Sequence, residues 1–514
     1  MEANADRNPE HLATLFLEES LTNAELAAKS RQLAGVLIEL GVRPGVPVGI
    51  YMSKAIELPI AMHGILMAGA AYVPLDPAAP IDRLREIIAD CGIEYIIVSD
   101  SKKKRLSALA QHCNFRASIG LSQPVGEVPN ISWPEVFAAP SEAKIFRTAS
   151  SDDLSYILYT SGSTGAPKGM MHTHRSCLSF AQWACREFKF REQDILSNHA
   201  PLHFDLSILD YFAATCAGST TAIIPEPHTK LPASYSELLE KQKVTVLYTV
   251  PFALIQLSQR GLLQQRDLSA LRLAIFAGEP MVVKHLRTLM TQLPNTVFTN
   301  FYGPAEVNGI TRYTVSELAE TAQAIPIGKL AEIAEGLIVD EKNEPVAPGE
   351  AGELLVHTPT AMKGYLGRPE LNEKAFYRTQ SPSGHQKSYY RTGDIVREDN
   401  ELNLWFLGRR DNQVKVRGYR IELNEIENAI LNAAGTEEAC AFVYSNSQDE
   451  KEIHAAVTVL EGQRVDAESI RKIAKRSLPP YAVPSRVFIV PGFPRTSTGK
   501  ADRRALANEL ATSK

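Results

Sequence analysis

Residues 156–169 read YILYTSGSTGAPKG, a short apolar run followed by a segment almost without side-chain bulk. Such a segment adds little to a hydrophobic core, and holding it in place costs conformational entropy. Its glycines let backbone N–H groups approach an anion without obstruction by Cβ atoms. Hydroxyl donors and one cation lie in the same stretch: Thr160, Ser161, Ser163, Thr164 and Lys168. The pattern predicts a phosphate-binding loop after a strand, with a flexible surface turn as the alternative.

The loop differs from the Walker A motif of P-loop nucleotidases. That motif requires a Ser or Thr directly after its lysine, because the hydroxyl binds Mg²⁺. Here Lys168 is followed by Gly169. The difference disfavours a P-loop GTPase or ATPase.

Length and charge limit the remaining classes of protein. A chain of 514 residues is long enough for two to four domains. Its net charge of −5 does not favour a nucleic-acid or membrane-surface partner. The six cysteines include no C-x-x-C pair, and the N-terminal residues do not resemble a signal peptide. We therefore expect a cytoplasmic protein with free thiols and without a membrane-spanning segment.

Helical and strand patterns alternate over the first 330 residues. Residues 21–41 have leucines at helical spacing between a possible cap at Thr22 or Asn23 and a stop at Gly41. This alternation predicts an α/β fold with a large N-terminal lobe of mainly parallel sheets flanked by helices. After about residue 335, short strands and turns predict a β-rich subdomain up to residue 410. Residues 411–514 are predicted to form a small α+β C-terminal domain.

Eight motifs occur in one order along the chain. The segment LMAGAAYVPLD precedes the loop, and HFDLS, NFYGPAE, YRTGD, GRRDNQVKVRGYRIELNEIE, LPPYAVP and TSTGK follow it. Together they resemble the adenylate-forming superfamily, which includes amino-acid adenylation domains, acyl- and aryl-CoA ligases, and luciferase. The resemblance extends over nearly the whole chain. It implies an N-terminal adenylation core, residues 1–410, and a mobile C-terminal domain, residues 411–514.

The reaction that the resemblance implies joins two anions. A substrate carboxylate attacks the α-phosphate of ATP, so the site needs cationic and dipolar stabilisation of the phosphoryl group. By similarity Lys500 bridges the carboxylate and the α-phosphate, and Glu306 holds Mg²⁺. Thr160 and Lys168 complete the implied catalytic set. The implied nucleotide-binding set is Ser161, Gly162, Ser163, Thr164, Gly165, Tyr302, Gly303, Asp394 and Arg409, in which Tyr302 stacks on adenine, Asp394 accepts from the ribose hydroxyls and Arg409 contacts ribose or phosphate.

Ala305 departs from the family pattern, which usually has threonine after YGP. The threonine hydroxyl contacts the α-phosphate, so alanine removes one donor from the implied phosphate site. A hydrogen bond to a charged group contributes on the order of 1.5–3 kcal/mol. We expect a slower but functional enzyme unless a neighbour such as Asn308 compensates.

Asp205 indicates which carboxylate is activated. It lies among apolar residues, where a carboxylate needs a cationic partner, and in amino-acid adenylation domains this aspartate binds the substrate α-ammonium group. A capping aspartate is the alternative. The other implied specificity positions are Leu206, Leu209, Tyr248, Ile275, Ala277, Phe301, Gly309 and Ile310. This apolar set resembles that of stand-alone L-prolyl-AMP ligases, and L-proline is our first choice, with valine or pipecolate as alternatives.

The acceptor of the activated acid is expected to be a separate molecule. After Lys500 only fourteen residues follow, too few for a carrier domain. The resemblance implies transfer to the phosphopantetheine thiol of a discrete carrier protein, and coenzyme A is the less favoured acceptor. It also implies that Asp411 is a hinge. An acyl- or aryl-CoA ligase and a non-catalytic nucleotide-binding module remain as alternatives.

Overall fold

A computed structural model describes residues 1–140, 150–162, 166–380, 386–446, 450–460, 462–463, 465–495 and 501–512. The chain divides into two compact units. The first comprises Met1–Pro77, Cys91–Leu158 and Gly169–Arg410. The second comprises Ala78–Asp90, Tyr159–Lys168 and Asp411–Lys514.

The first large sheet has nine strands among the described residues, and six neighbouring strands in it are parallel. In spatial order its strands are Lys329–Leu330, Thr311–Val315, Val297–Tyr302, Leu273–Ala277, Val246–Thr249, Ile195–Asn198, Thr220–Ile223, Leu12–Phe16 and Glu19–Thr22. The sheet is antiparallel only at its two edges. Parallel strands need crossover connections, which explains why helices alternate with them along the chain.

The second large sheet has eight strands among the described residues. In spatial order they are Gly364–Tyr365, Lys168–Thr173, Leu154–Thr160, Ala71–Pro74, Pro47–Tyr51, Tyr95–Val98, Ala117–Ile119 and Asn130–Ile131. The strand Ala71–Pro74 is buried along its whole length, as its apolar sequence predicts. The helix before it, Glu57–Met67, is also largely buried.

Antiparallel strands follow where the sequence pattern changes. Glu335–Val339, Ala351–His357, Phe376–Gln380, Gln386–Glu398 and Leu404–Arg409 form one sheet. In the second unit Gln413–Val416 and Tyr419–Glu422 form a hairpin, and Thr436–Ser445, Lys451–Val459 and Arg486–Ile489 form a mixed sheet. The predicted α/β fold class, with a large N-terminal sheet domain and a smaller C-terminal one, is confirmed.

The helices range from short turns to five turns. The helices of eight residues or more are Asn23–Glu39, Glu57–Met67, Ile81–Cys91, Lys103–Ala110, His174–Glu187, Pro232–Lys241, Pro251–Arg260, Val283–Gln292, Leu423–Leu431, Ala467–Ser477 and Arg503–Thr512. The shorter ones are Glu2–Arg7, Asp100–Lys102, Trp133–Ala138, Leu206–Ile208, Leu209–Ala213, Ala214–Ala217, Glu226–Lys230, Leu263–Gln265, Pro369–Ala375 and Pro480–Ala482. Within the described ranges, no helix is both long and apolar enough to cross a bilayer.

The helix Asn23–Glu39 shows how local sequence sets an element. Thr22 is its N-cap, and a reciprocal capping box joins Thr22 to Glu25. Such boxes satisfy backbone donors that otherwise have no partner at a helix start. Two residues after the helix, Gly41 has φ +97°, a conformation that glycine adopts without steric cost.

A buried ion pair joins two segments of the second unit. Arg83 of the helix Ile81–Cys91 donates to Glu425 of the helix Leu423–Leu431 at 2.5 Å, and both side chains are less than a tenth exposed. Burial raises the pKa of the Glu425 carboxyl, while the Arg83 guanidinium acts in the opposite direction. The carboxylate therefore depends on its cationic partner.

We predict that Arg83→Met destabilises the second unit by about 3 kcal/mol, because it leaves a buried carboxylate without its partner. The loss of unfolding free energy is measured in urea, with hydrogen exchange in the helix Leu423–Leu431 as the probe. The matched control is Arg495→Met, which removes a cation from the exposed partner Glu438 and should cost much less. Equal losses in the two variants would contradict the prediction.

Candidate active site

The carboxyl ends of three parallel strands carry an apolar wall in the first unit. The register pairs Tyr248 with Ile275, and Ala277 with Phe301, so these four side chains share one face of the sheet. All four are buried, and the Tyr248 and Phe301 rings lie 6.1 Å apart in an edge-to-face arrangement. Ligands of open α/β sheets bind beyond the carboxyl ends of the strands. The structure thus brings together four of the residues that the sequence assigned to substrate binding.

Asp205 and two leucines begin a short helical segment beside this wall. Leu206 and Leu209 are buried, whereas Asp205 is half-buried. Asp205 stands at the N-cap position of the helix Leu206–Ile208, but its side chain does not cap the helix. Burial raises the pKa of Tyr248 well above its ordinary value, and the negative charge of Asp205 adds to this shift. The carboxylate therefore lies close enough to the wall to act on it, and capping does not explain its presence.

Tyr156 is a neighbour of Asp205 that the sequence did not indicate. It lies in the strand Leu154–Thr160 and is fully buried. Burial raises its pKa, and the Asp205 charge again adds to the shift. Its hydroxyl makes no hydrogen bond of standard geometry among the described residues, although the Asn308 side chain interacts with it and lowers its pKa. A tyrosine in an otherwise apolar strand is a weak sequence signal, because it also fits an ordinary core.

Gly309 and Ile310 close the apolar region over Phe301. A Cβ atom at Gly309 would lie only 1.8 Å from Cζ of Phe301, so only glycine fits over the ring. Ile310 is buried, and its N–H donates to the carbonyl of Tyr302 at 2.8 Å. The Phe301 ring also packs near the rings of Trp183 and Phe188.

Tyr302, Asp394 and Arg409 form a second cluster in the first unit. The antiparallel register pairs Asp394 with Arg409. Arg409 donates to Oδ1 of Asp394 at 2.6 Å, and the Tyr302 hydroxyl donates to Oδ2 at 2.5 Å. Burial raises the pKa of Tyr302, and the Asp394 carboxylate raises it further. Each carboxylate oxygen has two lone pairs, so Asp394 can still accept hydrogen bonds from a ligand.

Glu306 is fully buried in a tight turn, and its carboxylate accepts a 2.7 Å hydrogen bond from the Tyr365 hydroxyl. A second support acts on Ala305, the residue before Glu306, and comes from His172. Burial lowers the pKa of His172 to about 4, so its ring is neutral near pH 7. Its Nε2 lies 3.1 Å from the carbonyl of Ala305 and donates to it. Neither support is visible in the sequence, because Tyr365 and His172 lie far from Glu306 in the chain.

The turn around Glu306 leaves little room for rearrangement. A Cβ atom at Gly303 would lie 1.7 Å from the carbonyl oxygen of Asn308. Asn308 has φ +58° and is 2% exposed, and its amide nitrogen lies 3.5 Å from the carbonyl of Thr360. This buried position does not favour Asn308 as a replacement for the hydroxyl that Ala305 lacks.

The glycine-rich loop belongs to the second unit. Thr160 ends its strand, and its buried hydroxyl has no hydrogen-bond partner among the described residues. Ser161 donates to the carbonyl of Arg420 at 3.3 Å. A Cβ atom at Gly162 would lie 2.1 Å from the carbonyl oxygen of Ala166, so only glycine fits at this position. The close backbone approach at Gly162 and the orphaned Thr160 hydroxyl suit anion binding.

Several predicted residues lie at the edge of the described chain or outside it. Ser163, Thr164, Gly165 and Lys500 are outside the described residues. Lys168 begins the strand Lys168–Thr173. Asp411 begins the last segment of the second unit, and its Oδ1 accepts from the N–H of Gln413 at 3.2 Å. Within the described part of the chain, no three His, Cys, Asp or Glu side chains cluster as a metal site built from protein ligands alone would require.

Two family models and known bacterial ligases are similar to this chain. Residues 1–366 match the AMP-binding enzyme family, and residues 425–500 match the AMP-binding enzyme C-terminal domain. The chain is 32% identical over 507 residues to an L-proline–[L-prolyl-carrier protein] ligase of Pseudomonas fluorescens, covering 98% of this chain and 97% of that protein. A protein with the same description from Streptomyces coelicolor is 32% identical over 499 residues, covering 95% and 91%.

A solved structure has the same fold over its full length. It is the Vibrio cholerae adenylation domain AlmE in complex with glycyl-adenosine-5'-phosphate, with a TM-score of 0.86 and 25% identity. The alignment covers 99% of this chain and 96% of that one.

We predict that Gly309→Ala forces the Phe301 ring aside and destabilises the first unit by about 1–3 kcal/mol, the usual cost of overpacking a core. Chemical unfolding measures the loss. Gly492→Ala is the control, since a Cβ atom there meets nothing within 4 Å. A Gly309→Ala protein as stable as the control would show that the ring yields without cost.

Proposed function

This chain belongs to the AMP-binding enzyme family and is an ATP-dependent ligase, and from this premise we propose that it activates a small apolar amino acid as an aminoacyl adenylate. L-Proline is the preferred substrate in this proposal. The observation that carries it is the half-buried Asp205 carboxylate beside the apolar wall. An α-amino acid has the ammonium group that such a carboxylate binds.

The wall supports a small apolar side chain. Tyr248, Ile275, Ala277 and Phe301 are all buried, and Asp205 is the charged member of the assigned set. A polar substrate side chain would leave its hydrogen-bonding groups unpaired against this wall. The pocket should therefore discriminate strongly against polar amino acids. The two bacterial relatives described as L-proline–[L-prolyl-carrier protein] ligases support proline within this class. Valine and pipecolate fit the same chemistry.

We assign two sets of residues to the nucleotide, one to its ribose and one to its phosphates. We assign the ribose hydroxyls to Asp394, whose carboxylate is already held by Tyr302 and Arg409. We assign the phosphates to the loop that begins at Thr160, where the orphaned hydroxyl and the tight backbone suit an anion. In the proposed reaction a carboxylate oxygen bonds to the α-phosphorus, and the bond from that phosphorus to pyrophosphate breaks.

Mg²⁺ is assigned to Glu306. A single carboxylate suits a cation that takes most of its ligands from phosphates and water, and Tyr365 fixes this carboxylate by hydrogen bonding. Bound Mg²⁺ would neutralise charge on the phosphates. Lys500 lies outside the described residues. We assign to it the stabilisation of the negative charge that develops between the substrate carboxylate and the α-phosphate.

The second half-reaction is proposed to pass the aminoacyl group to a thiol. The phosphopantetheine sulfur of a separate carrier protein attacks the adenylate carbonyl, AMP leaves, and a thioester forms. The names of the two bacterial ligases specify a carrier protein, which supports this acceptor. We assign Asp411, the first residue of the last segment of the second unit, as the hinge for this step.

Two other functions remain open to test. An acyl- or aryl-CoA ligase would respond to fatty or benzoic acids, and Asp205 disfavours it. A non-catalytic nucleotide-binding module would show no pyrophosphate exchange with any acid. The presence of Lys168, Glu306, Asp394 and Lys500 together disfavours this module.

We predict that amino-acid-dependent pyrophosphate exchange is highest with L-proline or another small apolar amino acid, and that Asp205→Asn lowers its kcat/KM roughly 10- to 150-fold, since a charged hydrogen bond is lost. A panel of amino, fatty and benzoic acids measures both. The control is Asp466→Asn, because Asp466 does cap its helix by accepting from the N–H of Ser469. An Asp205→Asn enzyme with unchanged kcat/KM would eliminate the proposed ammonium contact.

We predict that Asp411→Pro spares pyrophosphate exchange but blocks thioester formation, because proline fixes φ near −65° and restricts rotation at a hinge. Exchange and the loading of a phosphopantetheinylated carrier protein are measured on the same preparation. Asp411→Ala is the control, which removes the carboxylate but leaves the backbone free. Loss of both half-reactions, or of neither, in the proline variant would refute the hinge assignment.

A further inference from the structure

A buried asparagine joins the sheet to the helical segment beside the apolar wall. Asn198 ends the strand Ile195–Asn198 and is completely buried. Its Nδ2 donates to Oδ2 of Asp210 at 3.0 Å and to the carbonyl of Ala200 at 3.1 Å. Its Oδ1 accepts from the Tyr211 hydroxyl at 3.1 Å. Three of the four hydrogen bonds that an amide can make are therefore formed.

Asp210 and Tyr211 belong to an unusual element. Residues Leu209–Ala213 form a π-helix that continues directly from the helix Leu206–Ile208. π-Helical turns are rare, and they often occur at functional sites. Burial raises the pKa of the Asp210 carboxyl well above its ordinary value, while the hydrogen bond from the Asn198 amide acts in the opposite direction. The amide thus holds two consecutive side chains of this turn.

The strand end that carries Asn198 is itself fixed. The Lys54 side-chain nitrogen donates to the carbonyls of Asn198 and His199, both at 2.7 Å. The backbone N–H of Lys54 donates to Glu226 at 2.9 Å. Asn198 is therefore held through both its backbone carbonyl and its side-chain amide.

Asn198 also adjoins the apolar wall that the sheet contributes to the candidate pocket. The parallel register pairs Asn198 with Tyr248, so the two side chains share one face. Leu209, the first residue of the π-helix, directly precedes Asp210. We propose that Asn198 is a positioning residue that sets the spacing between the sheet wall and the Asp205–Leu209 segment, and thereby the size of the amino-acid side chain accepted. This inference rests on the proposed function and deepens it.

The test compares Asn198→Leu with wild type in pyrophosphate exchange. Leucine keeps the branching of asparagine at Cγ but is larger and makes no hydrogen bonds, so the π-helix loses its attachment. We expect KM for the preferred amino acid to rise about 10-fold, a change typical of a poorly fitted apolar pocket, while KM for ATP stays within about twofold. The ratio of kcat/KM for a bulkier amino acid, such as leucine, to that for the preferred one should rise about 10-fold.

Two further variants keep the test decisive. Tyr211→Phe removes only the hydroxyl that donates to Asn198 and should shift the same ratio in the same direction, by a smaller factor. Asn23→Leu is the matched control, because it removes another buried amide, which donates to the carbonyl of Asn8 at 3.0 Å. It should lower the melting temperature without changing either KM or the ratio.

The outcomes separate the two levels of the proposal. Wild-type exchange with an amino acid, together with an unchanged KM and ratio in Asn198→Leu, would overturn the positioning role. If Asn198→Leu does not fold, an unchanged ratio in Tyr211→Phe overturns it instead. Absence of exchange with every amino acid in the wild type would remove the proposed function, and this inference with it.

Discussion

The register of the parallel strands is the constraint on which the candidate pocket depends. Because Asn198, Tyr248 and Ile275 are successive partners across three strands, their side chains lie on one face of the sheet. Ala277 and Phe301 repeat the arrangement one pleat further along. A shift of one residue in any of these strands would turn its side chains to the opposite face. Residues separated by a hundred positions in sequence thus become neighbours through backbone hydrogen bonding.

The fold could be predicted largely because its signals are local. The leucine spacing after Thr22, the cap itself and the stop at Gly41 all lie within the helix that they define. The change from alternating helices and strands to antiparallel strands near residue 335 is likewise visible in short windows of sequence. In the candidate site, the family motifs gave the positions of Asp205, Phe301 and Asp394. Their roles remain proposals, and Lys500 lies outside the described residues.

The supports of the candidate site could not be predicted, because their partners are distant in the chain. His172 holds the carbonyl of Ala305, Tyr365 holds Glu306, and Asn198 holds a π-helix whose sequence, LDYFA, has no distinctive pattern. In a single sequence, a polar residue within an apolar segment has many possible partners. Burial makes the partner obligatory, but only the tertiary structure shows which one it is. Motifs therefore indicate the residues that face a ligand better than those that hold them.

Because Gly309 lies against the Phe301 ring, side chains at the two positions compete for the same space. The space that a side chain at position 309 would occupy is already filled by the aromatic ring. Substitutions at the two positions are consequently not independent, and their effects on stability will not add. A smaller residue at 301 would create room for a larger one at 309, so related sequences can exchange bulk between strand and turn. Changes in pocket shape within such a lineage would then arise as linked pairs rather than as single steps.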